Sequence, residues 1–340
     1  MQRILILIYI FLMPTLTFAE IVFLSDREGK TDYYVMNDAG GNVRKVTDTP
    51  FGIGHARWSR DGRQIAFAMD LHSEIPGNLQ GVAQQYEIFI MNRDGTRQHN
   101  LTEHPAQDGS PSWSPDGKSL VFDSSRAGGG TLELFMMDIA SRQVRQLTHL
   151  GFAASPDWSP DGKKIVFEYI KPGEGRHIYT INANGGKPHP VLRKQRKGRF
   201  GDTATISAFP SWSPDGEYIL YSEMEIDAKR RIANSVLIVN KDTRHLKTLD
   251  IPEKWKIDKA CWTDDGHAVL FAAVRNGLGK PSATDIFKIY RYDLNSGDIR
   301  NLTDHPSDNW GMDWTSRQRL SVSLTSIFTT QWGSIKNGAP

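Results

Sequence analysis

Apolar and polar positions follow one pattern that repeats about every fifty residues along the chain. In each repeat a tryptophan precedes a short polar turn, and the residues seven and nine positions after that tryptophan are apolar. The five pairs are Ile65 and Phe67, Leu120 and Phe122, Ile165 and Phe167, Ile219 and Tyr221, and Val269 and Phe271. Because the period is two, the pattern predicts a β-strand with one buried face in each of these repeats.

The turn after each tryptophan has the sequence Ser-Pro-Asp-Gly or a near copy of it. Pro sets φ at the second turn position, Asp bonds the local backbone, and Gly adopts the left-handed conformation, so this sequence joins two antiparallel strands. We therefore predict a structural role for the residues that define the repeat. They are Trp58, Asp61, Gly62, Trp113, Asp116, Gly117, Trp158, Asp161, Gly162, Trp212, Asp215, Gly216, Trp262, Asp265, Gly266 and Trp314.

The spacing of the six tryptophans predicts the architecture. They are 55, 45, 54, 50 and 52 residues apart, which is the period of propeller blades. Each repeat continues with a third, more uniformly apolar strand, such as residues 88–92, and a short fourth strand that often ends in Leu-Thr. Strands buried on both faces are typical of sheets stacked around an axis.

The two ends of the chain complement each other. Residues 21–23, 33–37 and 43–47 repeat the pattern of a second, third and fourth strand, and the segment around Trp314 has the pattern of a first strand. Pairing the two ends leaves no open sheet edge between the first and last blades. The sequence therefore predicts an all-β fold: a six-bladed β-propeller of four-stranded antiparallel blades, closed by a composite blade of N- and C-terminal strands.

Three segments divide the chain. Arg3, an apolar run over residues 4–13 and a small residue at Ala19 form the pattern of a secretory signal peptide. The run is short for a membrane span, and no second long apolar stretch follows it. We expect a signal peptide over residues 1–19, a propeller over 20–316 and a C-terminal tail over 317–340. The mature protein is then periplasmic or secreted and has no membrane span.

Charge and cysteine content exclude some classes of protein. The net charge of +2 gives no global field for nucleic acid. The single cysteine, Cys261, excludes an intramolecular disulfide, and its position before Trp262 indicates a small buried apolar residue. Basic residues crowd into positions 187–199. They form either a patch for an anionic partner, such as an envelope polymer, or a solvated loop.

Three motifs together resemble the WD40-like PD40 repeat of the TolB-like propellers. They are the Trp-Ser-Pro-Asp-Gly turns, the Leu-Thr strand ends such as residues 101–102, and the Phe-x-Ser-x-Arg-x-Gly sequence that starts at Phe23. The resemblance covers residues 21 to about 316. It implies a periplasmic propeller that binds other macromolecules, as the C-terminal propeller of the translocation protein TolB does.

Catalytic motifs are missing from the sequence. It contains no Gly-x-Ser-x-Gly elbow, no His-Glu-x-x-His and no phosphate loop, so we expect a protein that is not an enzyme and has no cofactor. The alternative is a metal-assisted polysaccharide lyase or hydrolase, since oligogalacturonate lyases have a related propeller with histidines around a divalent metal. His104 and His305 share one repeat position, which indicates a loop contact. His55 has no histidine at the matching position of the other repeats.

The direction of the strands separates two faces of the propeller. Loops between second and third strands, and between blades, lie on one face, here called the irregular face. We expect the irregular segments 70–85, 223–233 and 274–285 to be loops of this face. The Ser-Pro-Asp-Gly turns lie on the opposite turn face. Because function concentrates on variable loops held by a rigid scaffold, the irregular face is the predicted binding face. Its candidate residues are His55, Asp108, Asp258, Asp308, Asn309, Trp310, Arg193, Lys194, Arg196 and Lys197.

Two interpretations of the acidic candidates stay open. Asp108, Asp258 and Asp308 precede a blade tryptophan by four to six residues. They either surround the channel mouth and hold a divalent cation together with Asn309, or they cap backbone amides at loop ends. For the whole protein we expect a monomer that binds other envelope or secreted proteins, or an anionic polymer, and does not bind nucleic acid.

Overall fold

The computed structural model of the chain describes residues 19–72, 85–192, 204–227, 230–275, 277 and 286–315. The predicted signal peptide and C-terminal tail lie outside these residues, apart from Ala19. The first twelve strands are β1 (Glu20–Ser25), β2 (Asp32–Asn37), β3 (Arg44–Lys45), β4 (Gly52–Trp58), β5 (Gln64–Asp70), β6 (Tyr86–Asn92), β7 (His99–Asn100), β8 (Asp108–Trp113), β9 (Ser119–Ser124), β10 (Glu133–Asp138), β11 (Val144–Gln146) and β12 (Ala153–Trp158). The next twelve are β13 (Lys164–Lys171), β14 (Gly175–Asn182), β15 (His189–Pro190), β16 (Ala204–Trp212), β17 (Tyr218–Asp227), β18 (Arg230–Asn240), β19 (Leu246–Thr248), β20 (Lys256–Trp262), β21 (Ala268–Val274), β22 (Lys288–Asp293), β23 (Ile299–Asn301) and β24 (Asn309–Thr315).

These strands form six four-stranded antiparallel sheets, which confirms the predicted six-bladed β-propeller. Blades 1 to 5 are continuous in sequence and comprise β4–β7, β8–β11, β12–β15, β16–β19 and β20–β23. Blade 6 has the order β24-β1-β2-β3. Its seam runs from the pair Glu20 and Thr315 to the pair Ser25 and Asn309, so the two ends of the chain close the ring.

The core is divided among the junctions between blades. One buried apolar cluster fills each of the six junctions; that between blades 6 and 1, for example, packs Val22 and Tyr33 against Ile65 and Phe67. The apolar pairs of the second strands are fully or almost fully buried. Burying a side chain of this size contributes about 1.5–3 kcal/mol, so packing between blades stabilises the ring.

The repeated turn is held by its own polar side chains. The Ser59 hydroxyl donates to Asp61 (2.7 Å) and accepts from the amide of Gln64 (2.9 Å), and Asp61 also accepts from the amide of Arg63. The same bonds recur in the turns that follow Trp113, Trp158, Trp212 and Trp262. These contacts explain why the turn sequence repeats.

The Leu-Thr ends of the fourth strands also have a defined contact. The hydroxyl of Thr148 accepts from the amide of Leu134 (2.8 Å) and donates to the carboxylate of Glu133 (2.6 Å). Thr47 and Thr102 make the same pair of bonds, and Thr303 accepts from an equivalent amide. The threonine therefore fastens the end of each of these blades to the start of its own third strand.

One predicted loop is a strand pair in the structure. The sequence indicated an irregular segment over residues 223–233, but β17 and β18 continue through it as a hairpin, with a bulge between Glu225 and Ile226. Met224 and Ile226 alternate with acidic residues, and this period of two suits a strand that is half exposed. The other predicted loops, 70–85 and 274–285, lie partly outside the described residues.

Candidate functional site

Each inner strand has an irregularity beside the propeller axis. In blades 1 to 5 a bulge interrupts the pairing of the first and second strands two to four residues before the tryptophan. The residue three positions before the tryptophan then lines an axial cavity. In blades 1 to 5 these residues are His55, Ser110, Ser155, Phe209 and Lys259.

Three of these bulges hold a non-glycine residue in the left-handed conformation. Ser110, Ser155 and Phe209 have φ of 47°, 51° and 55°, a conformation that costs a residue with a side chain about 1–2 kcal/mol. Carboxylates of the preceding blade hold two of them: Asp123 accepts from the amide of Ser155 (2.9 Å) and Glu168 from that of Phe209 (2.8 Å). The backbone beside the axis is therefore fixed by bonds between blades.

The axial cavity is small and is narrowed by two aromatic rings. The rings of His55 in blade 1 and Phe209 in blade 4 meet across the axis with centroids 5.6 Å apart. Together with prolines of blades 2, 3 and 4, they leave a cavity of about 10 Å³. That space is close to the least that holds a single water molecule, so the axis is narrow at this level.

Positive charge dominates the wall of the axial cavity. Arg57 and Lys259 line it together with His55. Arg57 forms an ion pair with Asp313 (3.1 Å). Burial, reinforced by Lys259 and Arg57, lowers the pKa of His55 to about 3, so this ring is neutral. Burial and Arg57 lower the pKa of Lys259 to about 8, which leaves the amine mostly protonated at neutral pH.

In blades 2, 3 and 6 the residue directly before the tryptophan bonds the tryptophan amide of the next blade. Asp313 of blade 6 accepts from the amide of Trp58 in blade 1, and Asp157 of blade 3 accepts from that of Trp212 in blade 4, both at 2.8 Å. Ser112 makes the equivalent bond to Trp158 (3.1 Å). Cys261 occupies the same position in blade 5, where it is buried as predicted, and burial raises the pKa of its thiol to about 12.

Two of the candidate binding residues are each bonded to the side chain of an arginine. The carboxylate of Asp108 is fully buried and contacts the Arg126 guanidinium at 2.5 Å, and the side-chain oxygen of Asn309 accepts from Arg27 at 3.0 Å. Each arginine also lies over the phenylalanine of its Phe-x-Ser-x-Arg-x-Gly sequence. The motif that carried the family resemblance therefore anchors the start of an inner strand.

The remaining acidic and aromatic candidates occupy separate places. Asp308 accepts from the amide of Phe287 (2.6 Å), as an amide cap does. Asp258 is half-buried on β20, and Trp310 packs against the apolar clusters on both sides of blade 6. Among the described residues, no group of three or more His, Cys, Asp or Glu side chains converges as a metal-binding set. Arg193, Lys194, Arg196 and Lys197 lie outside the described residues.

The two histidines that share a repeat position make the same loop contact. Nδ1 of His104 accepts from the amide of Ala106 (3.1 Å), and Nδ1 of His305 accepts from the amide of Ser307 (3.3 Å). Each ring therefore supports the backbone of its own connection between blades. This is the loop contact that their shared position indicated.

A larger cleft lies between blades 3 and 4. Its volume is about 600 Å³, and its wall combines Tyr169, Tyr179 and Tyr221 with charged side chains. Lys171 and Glu174 at the β13–β14 turn, and Leu192 after β15, place one end of the cleft at the irregular face. A cleft of this size that combines aromatic walls with polar and charged groups is typical of sites for small ligands or side chains.

The charged residues beside the axis are not among the candidates that the sequence predicted. Arg57, Asp157 and Asp313 stand directly before a blade tryptophan, and Lys259 stands two residues earlier in its repeat. Charged residues in strands predicted to be buried were an available signal. The sequence did not indicate that these side chains face the axis. A bulge turns these positions toward the axis, and period-two alternation does not predict a bulge.

Acidification tests the neutral state of His55. In the folded protein the pKa of His55, about 3, lies below the ordinary histidine value of 6.5. As the pH falls, His55 therefore takes up a proton in the unfolded chain before it does so in the folded chain. Stability is then lost from about pH 6.5 downward. We expect His55→Gln to lose less stability than the parent between about pH 7 and about pH 4.5, measured as the shift in urea midpoint. His99→Gln, at an exposed position, is the control, and equal losses in parent and His55→Gln would contradict the prediction.

The geometry defines the class of protein: a six-bladed β-propeller that is closed by a composite blade, with a small axial cavity and a cleft between blades 3 and 4. A family model described as the TolB beta propeller domain matches residues 77–230. The match covers less than half of the chain; together with the repeat and the fold, it makes the chain similar to the TolB-like propellers.

Comparison with curated relatives gives partial matches. The chain is 28% identical over 215 residues to the Tol-Pal system protein TolB of Francisella tularensis subsp. holarctica, covering 62% of this chain and 45% of that protein. It is 30% identical over 131 residues to the uncharacterized peptidase YuxL of Bacillus subtilis, covering 31% of this chain and 20% of that protein. The chain thus spans less than half of either relative.

Solved structures share the fold. TolB from Acinetobacter baumannii superimposes with a TM-score of 0.69 at 18% identity, over 87% of this chain and 66% of that one. An oligogalacturonate lyase in complex with manganese superimposes with a TM-score of 0.55 at 14% identity, over 83% of this chain and 73% of that one. At these identities the similarity concerns the fold alone. No helix in the part of the chain that the structure describes is long and apolar enough to cross a membrane.

Proposed function

We propose that this chain is an exported, non-catalytic binding module of the bacterial cell envelope, and that a protein partner docks on its irregular face. The cleft between blades 3 and 4 carries the proposal. It offers about 600 Å³ at that face, enough for a bulky side chain or a short peptide segment. Aromatic walls supply contact area at little cost in conformational entropy, as binding hot spots do.

The surroundings of the axis support a binding role over a metal-dependent one. His55 shares the axial cavity with Arg57 and Lys259, and these positive charges repel a divalent cation. Asp108 and Asn309 are engaged by arginines. The resemblance to TolB supports a protein partner and a periplasmic location, and the predicted signal peptide supports export.

Capture from envelope extract tests the proposed docking face. We expect the combined change Tyr169→Ala and Lys171→Glu to reduce capture at least about tenfold, because it removes an aromatic wall and reverses a charge at the cleft. Arg63→Glu with Lys163→Glu is the matched control, since both side chains are more than three-quarters exposed on the turn face. Equal capture by the two variants would reject the cleft as the docking site.

The lyase alternative has its own measurements. Metal analysis of purified protein, with and without prior chelation, and turnover of an acidic polysaccharide separate the two functions. Stoichiometric manganese or zinc together with turnover would replace the proposed binding function. Loss of capture in the cleft variant, without turnover, would support it.

A further inference from the structure

The bond between Ala19 and Glu20, where the predicted signal peptide ends, lies at the start of a strand of blade 6. Glu20 is the first residue of β1, which has a partner strand on each side. It pairs with Asn37 of β2 and with Thr315 of β24. Ala19 packs against the apolar cluster of the junction between blades 5 and 6. The folded ring therefore fixes both residues that flank this bond.

The side chain of Glu20 adds a second restraint. Its carboxylate contacts the guanidinium of Arg93 in blade 1 (2.8 Å) and that of Arg44 in blade 6 (3.4 Å). The side chains of Glu20 and Arg93 are only 17% and 15% exposed, and partial burial strengthens such a pair. Residues 21–23, which follow in β1, are fully buried. Freeing the bond thus requires β1 to separate from both neighbouring strands and from blade 1.

Access to this bond limits its hydrolysis. Proteases cut exposed and poorly ordered segments, and they cut an ordered segment only in molecules where it has opened. When opening and closing are fast, the rate is lowered in proportion to the open fraction. In the folded chain this fraction is the population in which β1 has left blade 6.

We propose that cleavage after Ala19 precedes closure of the ring, and that the closed ring protects this bond from the signal peptidase. In the cleavage step water adds across the peptide bond, so that Ala19 gains the carboxylate and Glu20 the α-amino group. The proposal rests on the export that the proposed function includes, and it adds the order of processing and folding.

The order of the strands leaves time for cleavage. Thr315 lies 295 positions after Glu20, and a segment of this length takes about 15–60 s to synthesise at about 5–20 residues per second. Until then β1 can pair only with β2, and an isolated two-stranded hairpin is marginally stable. The bond is therefore accessible before β24 arrives and protected afterwards.

The full chain of 340 residues with its predicted signal peptide, here called the precursor, provides the test. Precursor produced without export and allowed to fold is mixed with purified signal peptidase, and cleavage after Ala19 is followed by intact mass. A second sample is diluted from urea directly into the peptidase, so that the enzyme meets the bond before the ring closes. We expect the initial rate to be at least about 100-fold lower for the folded precursor.

One flexible Gly/Ser linker of about ten residues, inserted at two different places, separates access from stability. Between Ala19 and Glu20 it keeps Ala19 at the bond but moves the bond out of β1, so the folded variant should be cut about as fast as the unfolded parent. Between Gly129 and Gly130, in the exposed loop that joins β9 to β10, it is the matched control and should leave the folded precursor resistant.

The outcomes distinguish this proposal from the proposed export. Cleavage of the folded parent at the rate of the Ala19–Glu20 linker variant would overturn the protection and leave export untouched. Resistance of that folded linker variant would overturn it as well, because freeing the bond from β1 would not restore cleavage. No cleavage after Ala19 in the unfolded parent would instead refute the predicted signal peptide, and with it both proposals.

Discussion

Deletion of residues 20–47 is expected to abolish the folded monomer. The deletion removes β1, β2 and β3, three of the four strands of blade 6, and leaves β24 without its partner. It also removes Ile21, Val22, Phe23, Tyr33, Val35 and Met36, all at most 1% exposed. At about 1.5–3 kcal/mol each, their burial contributes on the order of 10 kcal/mol, which is comparable to the whole stability of a typical domain.

Size-exclusion chromatography and thermal melting measure this outcome. We expect aggregation or loss of the cooperative transition, because the truncated ring exposes two sheet edges. A circular permutant is the control: a short turn joins Thr315 to Glu20, which are paired across the seam, and new termini open between Asp48 and Phe51. It retains every strand and should remain a folded monomer. An unchanged melting temperature for the truncated monomer would refute closure by the composite blade.

Gly95→Ala is expected to be among the most destabilising single methyl additions in the described part of the chain. Gly95 has a φ of +86°, and a Cβ there would lie 1.9 Å from the carbonyl oxygen of Val46 in the adjacent blade. Backbone would have to move, so overpacking and left-handed strain together should cost about 2–5 kcal/mol. The expected fall in Tm is then about 3–8 °C.

Gly117→Ala separates strain from the steric clash. Gly117 has a φ of +70°, but nothing lies within 4 Å of a Cβ built on it. This control keeps the conformational cost of about 1–2 kcal/mol without the contact between blades. Similar Tm values for the two variants would contradict the prediction, because they would show that the backbone around Gly95 accommodates the added methyl group without loss of stability.

The fold could be predicted from sequence because the same local chemistry recurs in every blade. The turn sequence determines the pairing of first and second strands, and the apolar pairs determine which face is buried. Closure by a composite blade could also be predicted. Residues 21–47 have the patterns of a second, third and fourth strand, and the segment around Trp314 supplies the missing first strand. The extended hairpin of β17 and β18 escaped because its alternation of Met224 and Ile226 with acidic residues was interpreted as a loop.

The candidate site could be predicted only in part. His55 was singled out because it breaks the repeat, and the structure places it at the axis. Lys259 occupies the equivalent position in blade 5, yet its direction depends on a bulge. From the sequence, Asp108 and Asn309 were predicted to be exposed ligands, but each contacts an arginine. Contacts across the blade determine whether a carboxylate or amide at the start of a strand faces solvent or an arginine. The sequence pattern does not contain that information.

The seam of blade 6 also determines when the molecule can finish folding. Its strands pair residues 20 and 315, which are 295 positions apart, and joining such distant points costs about 5 kcal/mol of chain entropy. Other blades pair neighbouring segments and can form early, whereas this one must wait for the far end of the chain. Folding should therefore end in a slow step of high contact order, and unfolding should begin where β1 separates from β24.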